Sequence, residues 1–207
     1  MPGELNVGGI VLCGGQSTRM GTPKEWLPIG DETLLQRTVR IAAEVVHPVV
    51  VAARHGQTLP SLPCGVEVSY DAVDNVGPLA GIAAGFSALA DRSEAAFVVS
   101  CDHPLLRPAF IIRLIEVLAD HKAVVPTHLD RSYPLVAVYR LDLRGMLTDL
   151  LALGERRVHG FVERCAARLV PSSELTDADP ALKSLRNVND RESLEQTLRE
   201  LNQYRDR

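Results

Sequence analysis

The sequence predicts a three-layer α/β/α fold around a mostly parallel, partly mixed sheet, and three observations carry that prediction. Short apolar runs alternate with helical patterns along most of the chain. The runs are continuously apolar and rich in valine, as strands covered on both faces require. Residues suited to ligand binding stand directly after the runs, where open α/β sheets place their ligands. For 207 residues, one domain over 1–207 is the expectation.

The elements follow in order. "GIVLC" (9–13) reads as the first strand. In "TLLQRTVRIAAEVV" (33–46) the apolar positions 34, 35, 38, 39, 42, 45 and 46 form one helical stripe, and Thr33 followed by Gln36 fits a capping box. "PVVVAA" (48–53) and "VEVSY" (66–70) are the next strands. "PLAGIAAGFSALA" (78–90) and "PAFIIRLIEVLADH" (108–121) are helices opened by proline, and "AFVVSC" (96–101) is the strand between them. "KAVVP" (122–126) is a further strand. "YPLVAVYR" (133–140) is another, but no long crossover helix precedes it, so the sheet is expected to be mixed there. "SSELTDADP" (172–180) reads as a polar surface loop, and Leu194, Leu198 and Leu201 mark a terminal helix over about 192–204.

A net charge of -4 without a basic face or tail argues against a nucleic-acid partner. No apolar stretch approaches the ~20 residues that cross a bilayer. The four cysteines are far apart, with no C-x-x-C pair, and nothing near Met1 resembles a signal peptide. Reduced thiols, a cytoplasmic location and no structural zinc are therefore expected.

The strand ends hold the chemistry. Gly14 and Gly15 lack Cβ atoms where the chain leaves the first strand, so backbone N–H groups there can approach phosphate oxygens. Arg19 offers a fork and Lys24 a compact charge to the same polyanion, with Gly21 letting the loop turn between them. A plain strand-to-helix turn with solvated cations is the other reading. Neither G-x-x-x-x-G-K-[ST] nor G-x-G-x-x-G occurs at this strand end, which weighs against a P-loop and against a dinucleotide-dependent dehydrogenase. Asp102, at the tip of "FVVSC", suits a Mg2+ that binds substrate phosphates, or else caps the helix beginning near Pro108. Asp71 ends the third strand, as a base or ribose acceptor or as an Asx-turn residue.

"LCGGQSTRMGTPK" resembles the signature L-A-G-G-x-x-x-R-M-G-x-D-K of the molybdenum cofactor guanylyltransferase family. The likeness continues in order through "DNVGPLAG" (74–81), "CDHP" (101–104), "YPLVAVY" (133–139), "GERRV" (154–158) and "NVN" (187–189). Cys13 and Pro23 stand where that signature has Ala and Asp, and "VVVAARH" lacks the asparagine that the family commonly sets against the guanine nucleotide.

The resemblance implies a Rossmann-like nucleotidyltransferase fold with GTP and molybdopterin cofactor as substrates and Mg2+ as cofactor. Leu12, Cys13, Gly14, Gly15, Lys24, Asp71 and Asp102 would bind the nucleotide, Asp102 would hold the metal, and Arg19, Lys24 and Asp102 would act in catalysis. Asn187 and Asn189 match the family's pair near the metal, though turn-forming asparagines are common. Arg131, Arg156 and Arg157 are open to a second anionic substrate or to solvent. Molybdoenzyme-maturation partners are implied as well. A CTP-dependent or sugar- or isoprenoid-phosphate-dependent relative and a non-catalytic nucleotide-binding module stand as alternatives.

Overall fold

A computed structural model describes residues 5–14, 21–70 and 77–205, with side chains through residue 201. Strands β1 (Val7–Cys13), β4 (Val49–Ala53), β5 (Glu67–Tyr70), β6 (Ala95–Ser100), β7 (Ala123–His128), β8 (Arg131–Ser132), β9 (Val136–Arg140) and β10 (Arg168–Pro171) form one sheet, while β2 (Pro28–Ile29) and β3 (Glu32–Thr33) form a small hairpin. The path across the large sheet is β10-β7-β9-β6-β1-β4-β5, with β8 paired to β7.

β1 lies parallel to β4 and to β6, and β4 parallel to β5. β9 runs antiparallel to both β6 and β7. The cause is the short connection through β8, which cannot supply the crossover that a parallel neighbour needs. From β1 the chain winds outward to β4 and β5 and then returns to β6 on the other side of β1. The switch point therefore falls between β1 and β6, which is where such sheets open a crevice for ligands.

Alternate residues of the strands feed two cores. Val11, Cys13, Val51 and Phe97 face α1 (Leu34–Ala43) and α3 (Pro108–Leu118). Ile10, Leu12, Val50 and Val98 face α2 (Pro78–Leu89), α4 (Arg144–Ala152) and α5 (Val158–Arg164). α1 starts at the expected capping box, with Gln36 N donating to Thr33 Oγ1 at 3.3 Å and Thr33 N to Gln36 Oε1 at 2.8 Å. It ends at Ala43, earlier than its apolar stripe, so Val46 is buried from the turn that leads into β4.

Three expectations need correction. β5 is an edge strand with partly exposed residues, and it is not covered on both faces. The stretch 172–180 is no plain surface loop: Leu175 and Asp179 are fully buried, and Asp179 Oδ2 accepts from Ser184 N at 2.7 Å. α4, α5 and β10 join the fold where the sequence showed no strong pattern. α6 (Arg191–Arg205) closes the described chain. Among the described residues, no helix is long and apolar enough to cross a membrane.

Candidate active site

The β1/β6 crevice brings together residues from four segments. Asp102 follows β6, and its backbone is fixed on both sides: Cys101 N donates to Leu12 O at 3.0 Å, and Val188 N donates to Asp102 O at 2.9 Å. The second bond carries the "NVN" segment to the strand tip, so Asn189 arrives beside a residue distant in sequence.

Lys24 opens a 3-10 turn, Lys24–Trp26, that enters through Pro23. Pro23 sits at φ -57, which proline's ring presets. Its neighbours fasten the turn. Trp26 Nε1 donates to Thr58 O at 3.1 Å. The buried Glu25 carboxylate accepts from Gln57 Nε2 at 2.6 Å, and Gln57 Oε1 accepts from Arg54 N at 3.0 Å. The lysine turn is thus pinned to the loop after β4.

The Lys24 ammonium donates to Asp102 Oδ2 at 2.7 Å and to Asn189 Oδ1 at 2.8 Å. The other carboxylate oxygen, Oδ1, accepts from the Ser100 hydroxyl and lies 3.1 Å from His103 Nδ1. Burial works to raise the Asp102 pKa, but the His103 ring and the Lys24 ammonium outweigh it and hold the carboxyl well below the usual carboxylate range. It is an anion at neutral pH.

Beside it lies a cavity of about 600 Å³ lined by Gly14, Pro78, Asp102, Arg131, Tyr133, His159, Arg186 and Asn187, among others. The start of α2 reaches this cavity because Gly77 takes φ +81, and a Cβ there would lie 3.3 Å from Arg156 O. Among the described residues, a Cβ on Gly14 would meet no atom within 4 Å.

The expected residues fare unequally. Lys24, Asp102 and Gly14 are brought together; Leu12 and Cys13 lead into the crevice as buried members of β1. Gly15, Arg19 and Asp71 lie outside the described residues. Of the three arginines open to a second substrate, only Arg131 lines this cavity. Arg156 borders a separate, mainly apolar hollow between β5, α2 and α4, and Arg157 is exposed and paired with Glu155. Sequence reasoning missed Glu25, Gln57 and Ser100, which have no motif of their own, and left His103 without a specific place. His103 is buried against the carboxylate. The hydrogen bond with Cys13, aided by burial, pushes the Cys101 thiol well up, so it remains a thiol at neutral pH.

The donor set suits a hard divalent cation. A carboxylate oxygen and an amide oxygen converge on one point, and a positive group already stands there as the Lys24 ammonium.

The model of the MobA-like NTP transferase domain matches residues 9–169. A protein of Mycobacterium tuberculosis named "Probable molybdenum cofactor guanylyltransferase" is 37% identical over 198 residues, covering 91% of each chain. A protein of the same name from Mycobacterium avium is 33% identical over 193 residues, covering 91% of this chain and 93% of its own. The crystal structure of molybdopterin-guanine dinucleotide biosynthesis protein A from Archaeoglobus fulgidus superposes with a TM-score of 0.79 at 22% identity, over 95% of this chain and 99% of that one. The fold extends to 2-C-methyl-D-erythritol 4-phosphate cytidylyltransferase from Thermus thermophilus, with a TM-score of 0.69 at 15% identity, over 93% and 98%. By domain model and by relatives matched along nearly their whole length, the chain belongs to the family of MobA-like NTP transferase domains.

Proposed function

We propose that this protein, acting as one domain over 1–207, transfers GMP from GTP to the terminal phosphate of molybdopterin cofactor and releases pyrophosphate, with Mg2+ as the divalent ion. The observation that carries the reading is the convergence of Lys24, Asp102 and Asn189 at the β1/β6 switch point, beside a cavity large enough for a second substrate. Relatives that bear the guanylyltransferase name over nine-tenths of the chain support the choice of reaction.

The chemistry needs no general base. A phosphate monoester has a second pKa of about 6, so the acceptor is largely a dianion at neutral pH. One of its oxygens forms a bond to the α-phosphorus while the bond from that phosphorus to the bridging oxygen breaks, and the electron pair leaves with pyrophosphate. The chain's task is to hold two anions against each other. Lys24, with Arg19 and the backbone N–H groups of Gly14 and Gly15, is assigned to the triphosphate, where charge grows on the leaving group. Asp71 is assigned to the nucleoside. Asp102 and Asn189 would hold the Mg2+, which supplies neutralising charge to the phosphates. Ser100 and His103 keep the Asp102 carboxylate in one orientation. Arg131 and Asn187 face the cavity assigned to the acceptor. The free cysteines fit a reducing cytoplasmic setting, with a supplier of molybdopterin and molybdoenzyme-maturation factors as partners.

The test is a Mg2+-dependent pyrophosphate-release assay with GTP or CTP, with and without molybdopterin cofactor. Release is expected only with GTP and the cofactor together, and Asp102→Ala is expected to abolish it without changing the circular dichroism spectrum. Preference for CTP would move the protein to the cytidylyl-transferring branch; undiminished release by Asp102→Ala would remove the metal assignment.

A further inference from the structure

The two oxygens of the Asp102 carboxylate are in different hands. Oδ1 faces inward to Ser100 and His103. Oδ2 faces Lys24, and the same ammonium holds Asn189 Oδ1. The two outward oxygen donors of the site are therefore both engaged by one cation, at a side chain only 12% exposed.

We infer that Lys24 occupies the metal position of the free protein, so that ammonium and divalent ion exclude each other and the metal enters only together with the nucleotide. The inference rests on the reading of Asp102 as the metal carboxylate. A lone divalent ion approaching Oδ2 meets a cation already hydrogen-bonded to both donors, and like charges sharing one oxygen of a largely buried carboxylate repel. Withdrawing the lysine without a substitute leaves Oδ2 of a largely buried carboxylate without its cation, with only Ser100 and His103 on the other oxygen, and the fold resists that change. A triphosphate changes both terms. It offers Lys24 a richer anionic partner, and it brings the ion with it to the vacated oxygens. Nucleotide and metal are then coupled through one residue, and by linkage each raises the affinity for the other. Lys24 so has two successive partners: Asp102 and Asn189 in the free protein, phosphate in the complex. While the nucleotide is absent, its ion pair also keeps the two metal donors in register.

The experiment measures binding rather than turnover. Free Mn2+ is followed by its paramagnetic resonance signal in titrations of the whole protein, with and without GTP and with no acceptor present, each GTP titration being referred to the same GTP and Mn2+ without protein. The wild-type protein is expected to bind Mn2+ weakly alone and strongly with GTP. Lys24→Met is expected to bind Mn2+ alone about tenfold more tightly than wild type, within the usual span of site–site coupling, and to lose most of the GTP enhancement. Lys24→Met combined with Asp102→Asn is expected to lose the gain. Mn2+ affinity in Lys24→Met equal to or below that of wild type overturns the inference, as does a gain that survives Asp102→Asn, since that would report a general field effect. A wild-type protein whose Mn2+ binding ignores GTP would instead overturn the underlying metal assignment, which separates the two failures. Near-ultraviolet circular dichroism of each variant verifies that the fold is retained.

Discussion

Among the described residues, Tyr139 is the largest side chain with no exposure, yet its hydroxyl is not wasted: it donates to Pro134 O at 2.8 Å. Burial pushes the phenol pKa well above its ordinary value, so it acts as a fixed neutral donor. Pro134 lines the large cavity, and one hydrogen bond thereby ties that wall to the core of β9. Tyr139→Phe leaves a buried carbonyl without its donor, which costs about 1–3 kcal/mol. A lower melting temperature and a raised KM for the acceptor, with the KM for GTP little changed, are the expected readings. Glu32 makes a second case. Burial works against its carboxylate, but hydrogen bonds from Arg40 and Arg37 prevail and hold it below its ordinary value of 4.5. The folded value being the lower one, this stabilisation is complete above the unfolded-state pKa and fades as pH falls toward the folded one. Glu32→Gln should cost about 0.5–1 kcal/mol at neutral pH, given the partly exposed partners, and should flatten the loss of stability on acidification. Denaturant titrations at pH 7 and at pH 3 check both statements. At this scale the motifs pointed to Lys24 and Asp102, and the fold brings the two side chains into contact. The sequence could not disclose Glu25 and Gln57, because their hydrogen bond joins residues 32 apart and neither has an unusual neighbour.

Most elements were legible because each carried a local signal strong enough to outlast context. The Val-rich runs became β1, β4, β6 and β7, and the capping box set the start of α1 within the hairpin's last residue. Elements that escaped were short or weakly patterned: α5 has 7 residues, and β10 has 4 and ends in proline. Their form comes from the neighbours they cover rather than from propensity. α2 tests how far packing outweighs propensity. A Cβ at Gly85 would stand 2.6 Å from the Ile10 side chain, and Ile10 is fully buried in the central strand, with no room to give way. Gly85→Ala gains about 1 kcal/mol of helix propensity, but overpacking of this kind costs about 1–3 kcal/mol. The net change should be destabilising. In a double-mutant cycle, Gly85→Ala with Ile10→Ala should cost clearly less than the sum of the single changes, because the smaller strand residue makes room. Additive costs would show that the helix rides over β1 without close contact.

At the scale of the whole molecule, the sheet order explains why distant motifs meet. β1 and β6 are adjacent with parallel register, so the residues after each tip fall side by side, and a sequence with two such tips announces a site between them. What it does not announce is the closure. Leu194, Leu198 and Leu201 of α6 pack on Leu27, Ile29, Leu34 and Val188, a third apolar cluster separate from the two faces of the sheet. Leu27 closes the turn that begins with Lys24, and Val188 precedes Asn189, so one helix covers the segments that supply both partners of the Lys24–Asn189 bond. The leucine spacing revealed the helix but not the surface it would cover, since that surface joins the stretch 27–34 to Val188, far away in the sequence. Leu198→Ala should remove about 1–2 kcal/mol of apolar contact from this cluster. The effect should be local. Amide hydrogen exchange is expected to quicken at Val188 and Asn189 while Val98 and Val99, in the centre of β6, keep their protection, and the KM for GTP should rise severalfold. If exchange instead rose evenly across the sheet, α6 would be part of the general core. If Val188 and Asn189 were unchanged, the helix would not be what holds the asparagine at the lysine.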